Sequence, residues 1–95
     1  RQTDMVFRYG GEELVVLLPE TRGDDAAIVA EHCRTRVASA SATVLPGGVT
    51  ISLGIAELSR DEEVATVLAR ADAALYEAKK AGRNRSMLAR KEGRE

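Results

Sequence analysis

Residues 49–56 constrain the fold more than any other stretch. Val49, Ile51, Leu53 and Ile55 alternate with Thr50, Ser52, Gly54 and Ala56. A period of two is the signature of a β-strand, whose successive side chains leave opposite faces. One face is apolar, and the other is small rather than charged. A small face with a glycine in it implies that another element, or a ligand, comes close to the backbone. A strand covered on both sides belongs to a layered fold, in which helices cover a sheet.

The flanking sequence supplies the layers. Residues 5–9 and 13–18 read as two strands joined at Gly10-Gly11, since glycine accepts the positive φ of tight hairpin turns. Pro19 stops the second strand. Its Leu14-Val15-Val16-Leu17-Leu18 run is apolar throughout, as in a strand buried on both faces. Asp24 or Asp25 caps a predicted helix to about Ser39, with Ala26, Val29, Ala30, Cys33 and Val37 as its inner face. Pro46-Gly47-Gly48 is turn material. Ser59-Arg60-Asp61-Glu62 has the capping-box pattern. It precedes a helix whose apolar stripe is Val64, Val67, Leu68, Ala71, Leu75 and Ala78, with Gly82 as its stop. Residues 86–89 form a short last strand, and residues 91–95 a charged, frayed tail. The predicted class is α/β (an α+β sandwich), order β-β-α-β-α-β, with helices over a mainly antiparallel sheet.

Composition narrows the function. Fourteen basic and fifteen acidic residues leave a net charge of −1, which argues against a protein that coats nucleic acid by bulk charge. Phe7, Tyr9 and Tyr76 are too few aromatics for a base-stacking platform. Cys33 is the single cysteine of 95 residues, so no internal disulfide staples the chain. No leader opens the chain and no apolar run reaches about 18 residues, so a cytoplasmic domain is expected. His32 and Cys33 adjoin but face different ways, with no further ligand at zinc spacing. Cys33 reads as core and His32 as boundary or surface.

Three groups could carry chemistry. Glu12 and Glu13 follow Gly10 and Gly11, where a phosphate can approach bare backbone and a carboxylate can hold Mg²⁺, a hard cation that prefers oxygen. Asp72, Tyr76, Lys79 and Arg83 recur at helical spacing, and the two cations could hold phosphate. Arg1 and Asp4 lie three apart. Local chemistry alone favours plainer readings: a hairpin with solvated acids, cations complementing a helix dipole, and a surface ion pair.

Together the pieces resemble the GGDEF domain of diguanylate cyclases. Arg8-Tyr9-Gly10-Gly11-Glu12-Glu13-Leu14 is similar to the family's signature in its Glu-for-Asp form, with Leu14 in place of Phe. Residues 49–56 resemble one of its strands. Arg70-Ala71-Asp72-Ala73-Ala74-Leu75-Tyr76-Glu77-Ala78-Lys79-Lys80-Ala81-Gly82-Arg83-Asn84-Arg85 resembles its terminal helix. The resemblance implies condensation of two GTP into cyclic di-GMP and two pyrophosphates between two facing protomers, a homodimer. Glu12 would hold Mg²⁺ (or Mn²⁺) and help activate a 3′-hydroxyl, and Glu13 would support the metal. Gly10 and Gly11 would admit the nucleotide, while Lys79 and Arg83 would hold its terminal phosphates. Arg1 and Asp4 would form an R-x-x-D inhibitory site for cyclic di-GMP. His32 falls where the family adds an arginine, with Arg34 close by.

The resemblance also implies that residues 1–90 are the C-terminal portion of the domain. The family's first metal-binding Asp and guanine-reading residues would lie upstream, with a sensor or regulatory domain in the parent protein. Such a portion would be inactive alone yet able to bind cyclic di-GMP. The alternative is a non-catalytic cyclic di-GMP receptor or dimerising module.

Overall fold

In this computed structural model the described residues are 21–89, together with the backbone of residues 5–10 and 13–17. The element order is the expected one: β1 (Met5–Gly10), β2 (Glu13–Leu17), α1 (Gly23–Ala42), β3 (Leu53–Ile55), α2 (Val64–Lys80) and β4 (Ser86–Leu88). β1 and β2 form an antiparallel hairpin, with Met5 opposite Leu17 and Arg8 opposite Leu14. The register shifts between Arg8 and Gly10, and Gly10 then pairs with Glu13. Tyr9 is thus an extra residue, a bulge of the kind that sharpens twist next to a hairpin tip. The burial of the apolar run in β2 lies outside the described residues.

The sheet differs from the expectation in one respect. β3 and β4 pair in parallel, Leu53 with Ser86 and Ile55 with Leu88, as a two-stranded sheet separate from the hairpin. The reason is connectivity. A helix between two strands carries the chain back to the end where it started, so the returning strand runs parallel. β3, α2 and β4 are one such β-α-β unit. The expected strand over 49–56 shortens to Leu53–Ile55.

The two helices cover opposite faces of this small sheet. Gly54 faces α2. A Cβ on Gly54 would collide with Ala71 O and Leu75 N and stand 2.9 Å from Leu75 Cα. The small face read from the sequence therefore admits a helix backbone. Ser86 and Leu88 face the other way, toward α1. The Ser86 hydroxyl donates to Glu31 at 2.7 Å, and Leu88 Cδ1 lies 3.1 Å from where a Gly23 Cβ would stand. The buried apolar residues among those described are Ala30, Ala74 and Ala78. Alanines let helices sit close to a sheet, at the cost of little apolar area.

α1 departs from its predicted limits and phase. It runs on to Ala42, and its N-cap is Arg22 without a side-chain cap. Asp24 and Asp25 lie inside the first turn, where Asp24 Oδ1 accepts the Asp25 N–H at 2.9 Å. The free Gly23 N–H is met from across the chain by Glu57 Oε1 at 3.0 Å. A carboxylate there also suits the positive end of the helix dipole. The inner face includes Gly23, Ala30, Arg34 and Val37, whereas Val29 and Cys33 are exposed. α2 keeps its expected stripe except for Val64, which is exposed. Ahead of it, Glu62 Oε1 accepts the Ser59 N–H at 3.0 Å, but the helix starts later than the expected capping box places it: its N-cap is Glu63, without a side-chain cap.

Candidate functional site at the end of the last helix

α2 stops through its backbone. The Arg83 N–H donates to Ala78 O at 2.9 Å and the Gly82 N–H to Lys79 O at 3.3 Å. This pair of bonds is the Schellman motif, which satisfies carbonyls left over at a helix end. Gly82 supplies the positive φ of 125°. Arg83 (φ 63°) and Asn84 (φ 50°) then continue in the left-handed region. Asparagine visits that region more readily than most residues; arginine does so seldom.

Of the expected polar stripe, Asp72, Tyr76 and Lys79 lie on α2, which ends at Lys80, and Arg83 lies just beyond it on the reversing turn, as a stop at Gly82 implies. Asp72, Tyr76 and Arg83 are exposed and Lys79 is half-buried. Lys80 Nζ stands 5.5 Å from the centre of the Tyr76 ring, within cation–π range.

A polar network holds the turn. The Asn84 N–H donates to Ser52 Oγ at 3.0 Å, from the segment before β3. Arg34 Nη1 donates to Asn84 Oδ1 at 2.9 Å, from α1. Arg34 is itself braced by Glu31, with Nε 3.0 Å from both carboxylate oxygens and Nη2 2.7 Å from Oε1. The guanidinium, then the Ser86 hydroxyl, hold the Glu31 carboxyl below its ordinary range. Glu31 in turn raises the Arg34 guanidinium. Of these partners, only Glu31 and Arg34, three apart on one helix, leave a trace in the sequence. Ser52, Asn84 and Ser86 meet them only after folding.

At the other end of α2, Arg70 Nε and Nη2 grip Glu62 at 2.6 and 2.8 Å. Nη2 also donates to Glu57 O at 2.6 Å. This grip drives the Glu62 carboxyl down to about 2.

The remaining site candidates divide by position. Gly10 and Glu13 close the hairpin ladder. Arg1, Asp4, Gly11 and Glu12 lie outside the described residues. His32 is exposed on α1. Arg34, expected beside it at the inhibitory site, donates to Glu31 and Asn84. Cys33, expected in the core, is exposed. Among the described residues, no group of three or more His, Cys, Asp or Glu could hold a metal, and no helix is long and apolar enough to cross a membrane.

With this geometry in hand, the chain can be set beside known proteins. The family model described as diguanylate cyclase, GGDEF domain, matches residues 1–85. Diguanylate cyclase DgcM of Escherichia coli K12 is 46% identical over 89 residues, 94% of this chain and 22% of that protein. The response regulator PleD of Caulobacter vibrioides is 40% identical over 89 residues, 88% of this chain and 20% of that protein. This chain thus spans about a fifth of the length of these curated relatives. Among solved structures, the active GGEEF domain of a diguanylate cyclase from Vibrio cholerae matches with a TM-score of 0.80 and 33% identity, over 93% of this chain and 57% of that one. The GGDEF domain of DgcB from Caulobacter crescentus, in complex with c-di-GMP, matches with a TM-score of 0.83 and 34% identity, over 93% of this chain and 54% of that one.

Proposed function

The chain belongs to the diguanylate cyclase GGDEF-domain family, and on that premise we propose that it forms the metal-proximal and phosphate-proximal part of a cyclase half-site. The substrate is GTP, and two copies meet so that each presents one nucleotide to the other. The 3′-hydroxyl of one GTP gives up its proton to solvent, and its oxygen forms a bond to the α-phosphorus of the second. The bond from that phosphorus to the β-bridging oxygen breaks, and pyrophosphate leaves. A second, symmetric step closes the ring to cyclic di-GMP.

Each residue has a role the chemistry asks for. Gly10 and Gly11 let the nucleotide reach the hairpin tip without side-chain obstruction. Glu12 and Glu13 are oxygen donors, with no cysteine or histidine in residues 5–17, a set suited to Mg²⁺ or Mn²⁺. Such an ion, when bound, neutralises phosphate charge and acidifies the attacking hydroxyl. Lys79 and Arg83 hold the β- and γ-phosphates, a point charge and a fork, and stabilise the leaving pyrophosphate. The domain takes in residues 1–90, with 91–95 as its tail, and works in the cytoplasm, where GTP is found, under an input domain of the parent protein.

The observation that carries this reading is the family match over residues 1–85, which takes in both the hairpin and the turn. The test is an assay of the full-length protein with GTP and Mg²⁺, following cyclic di-GMP and pyrophosphate together. Glu12→Gln is expected to lower turnover roughly a hundredfold or more. Undiminished turnover in that variant would overturn the assignment of Glu12.

A second reading has an observation of its own. DgcB is described in two solved structures in complex with c-di-GMP. We infer a product site here formed by Arg1, Asp4, His32 and Arg34. Titration of cyclic di-GMP into the wild type and Arg1→Ala tests it. Equal affinities would remove Arg1 from the site, and binding without any GTP turnover would make the protein a receptor.

A further inference from the structure

We propose that Arg34 is a positioning residue for the terminal phosphates of a bound nucleoside triphosphate, acting through Asn84 on the turn that carries Arg83. This rests on the reading of Arg83 as a phosphate ligand. Arg34 is on the other side of the β3–β4 sheet from α2, and it is not itself a phosphate ligand in this arrangement.

The conformation of the turn supplies the reason. Arg83, at φ 63°, occupies a region that a long side chain seldom adopts. A residue held there needs neighbours that fix it. On the side of α2 the Arg83 N–H is tied to Ala78 O. On the other side Asn84 is tied twice, by its N–H to Ser52 Oγ at 3.0 Å and by its Oδ1 to Arg34 Nη1 at 2.9 Å. Arg34 Nη1 also reaches Asn84 O at 3.5 Å. Arg34 is itself held in place: Glu31 takes its Nε and Nη2, and Ser86 of β4 holds Glu31 at 2.7 Å.

The turn is therefore clamped from the helix, from the strand segment and from α1. Only the last clamp depends on a charged side chain in a fork. The clamp sets the direction in which the Arg83 side chain leaves the backbone. Misplacing a phosphate-holding group by about an ångström can cost up to about a hundredfold in rate.

The test separates positioning from general stability. In the full-length protein with Mg²⁺, binding of α,β-methylene-GTP and of GMP is measured by calorimetry. The first carries the terminal phosphates and cannot release pyrophosphate; the second lacks them. Arg34→Gln is expected to weaken the triphosphate analogue roughly tenfold and to leave GMP affinity unchanged. Arg83→Ala should weaken the analogue at least as much, and adding Arg34→Gln to it should weaken binding no further.

Asn84→Gly guards against a folding defect. Glycine accepts the positive φ while Oδ1 is removed and the Arg34–Glu31 pair stays. It should reproduce the selective loss. Equal loss for both nucleotides, or additive losses in the double variant, overturns the proposal. If Arg83→Ala weakens the analogue and neither Arg34→Gln nor Asn84→Gly does, this inference alone falls. If Arg83→Ala leaves binding intact, the phosphate reading falls and this inference falls with it.

Discussion

Two arginines brace the opposite ends of α2, and they do so differently. Arg70, near its start, bonds Glu62 with the two side chains 11% and 6% exposed. Arg34, across the sheet from its end, bonds Glu31 with the side chains 22% and 44% exposed. The first pair is enclosed and holds backbone to backbone, since Arg70 also takes the Glu57 carbonyl. The second is open to water and reaches an exposed turn through the side chain of Asn84. A charge shut away from solvent cannot lose its partner without a penalty, whereas water can replace a partner at the surface. The enclosed end should therefore carry stability and the open end should carry placement.

The largest effect should come from the packed side. Gly54→Ala puts a Cβ against the α2 backbone at Ala71 and Leu75. Backbone cannot rotate away as a side chain can, so the expected loss is about 3 kcal/mol or more. Urea denaturation of the variant measures it. Gly47→Ala is the control: nothing lies within 4 Å of its Cβ, and only its φ of 80° resists. That should cost only about 1 kcal/mol. Equal losses at the two glycines would mean that α2 does not rest on β3 at Gly54.

Next comes a direct confrontation of the two arginines. Arg70→Met leaves the Glu62 carboxylate enclosed and unpaired, and should lower the thermal midpoint by several degrees. Arg34→Met should lower it less, because Glu31 can turn to water. Equal drops in paired melts would erase the distinction between the two ends.

Acid sharpens the same contrast. Glu62 has a folded-state pKa of about 2 against an ordinary 4.5. Its folded value lies below its unfolded value, so its contribution is complete above about 4.5. It is then lost as pH falls from there toward 2. Glu31 is lowered as well and acts in the same direction. Stability followed by urea titration should fall across this window in the wild type, and more shallowly in Arg70→Met. A variant with the wild-type slope would show that Arg70 is not what holds Glu62 charged.

What could be read from the sequence follows from where each force acts. The small face containing Gly54, the stripe of α2 from Val67 onward and the stop at Gly82 are local patterns, and each is where it was expected. The phase of α1 was not legible. Ala26, Ala27, Ala30, Ala38, Ala40 and Ala42 surround that helix with weak, similar preferences. A stripe through Cys33 and one through Arg34 then look alike. The parallel β3–β4 pairing was available in principle, because the connecting segment is a helix. The left-handed pair Arg83-Asn84 was not, since a stop at Gly82 says where the helix ends but not what backbone conformation follows it. Glu57 at the start of α1 and Asn84 against Arg34 are partners 34 and 50 residues away in the chain. No window of sequence contains both members. At the hairpin, by contrast, the chemical suggestion of Glu12 and Glu13 came wholly from sequence.

The smallest effect is expected where α1 serves neither end. A cysteine in the core would lose packing contacts on replacement by serine and would bury a hydroxyl in need of a partner. Cys33 is exposed, beside the face that Arg34 turns inward. Cys33→Ser should then change unfolding free energy by no more than about 0.5 kcal/mol, and the folded wild type should react with a disulfide reagent without denaturant. The two readouts bear on different things. A large loss of stability with a protected thiol would place Cys33 inside. It would also rotate α1 toward the phase first read from its sequence, carrying Arg34 away from the turn. An unprotected thiol with unchanged stability keeps Arg34 on the sheet side, the orientation on which its contact with Asn84 depends.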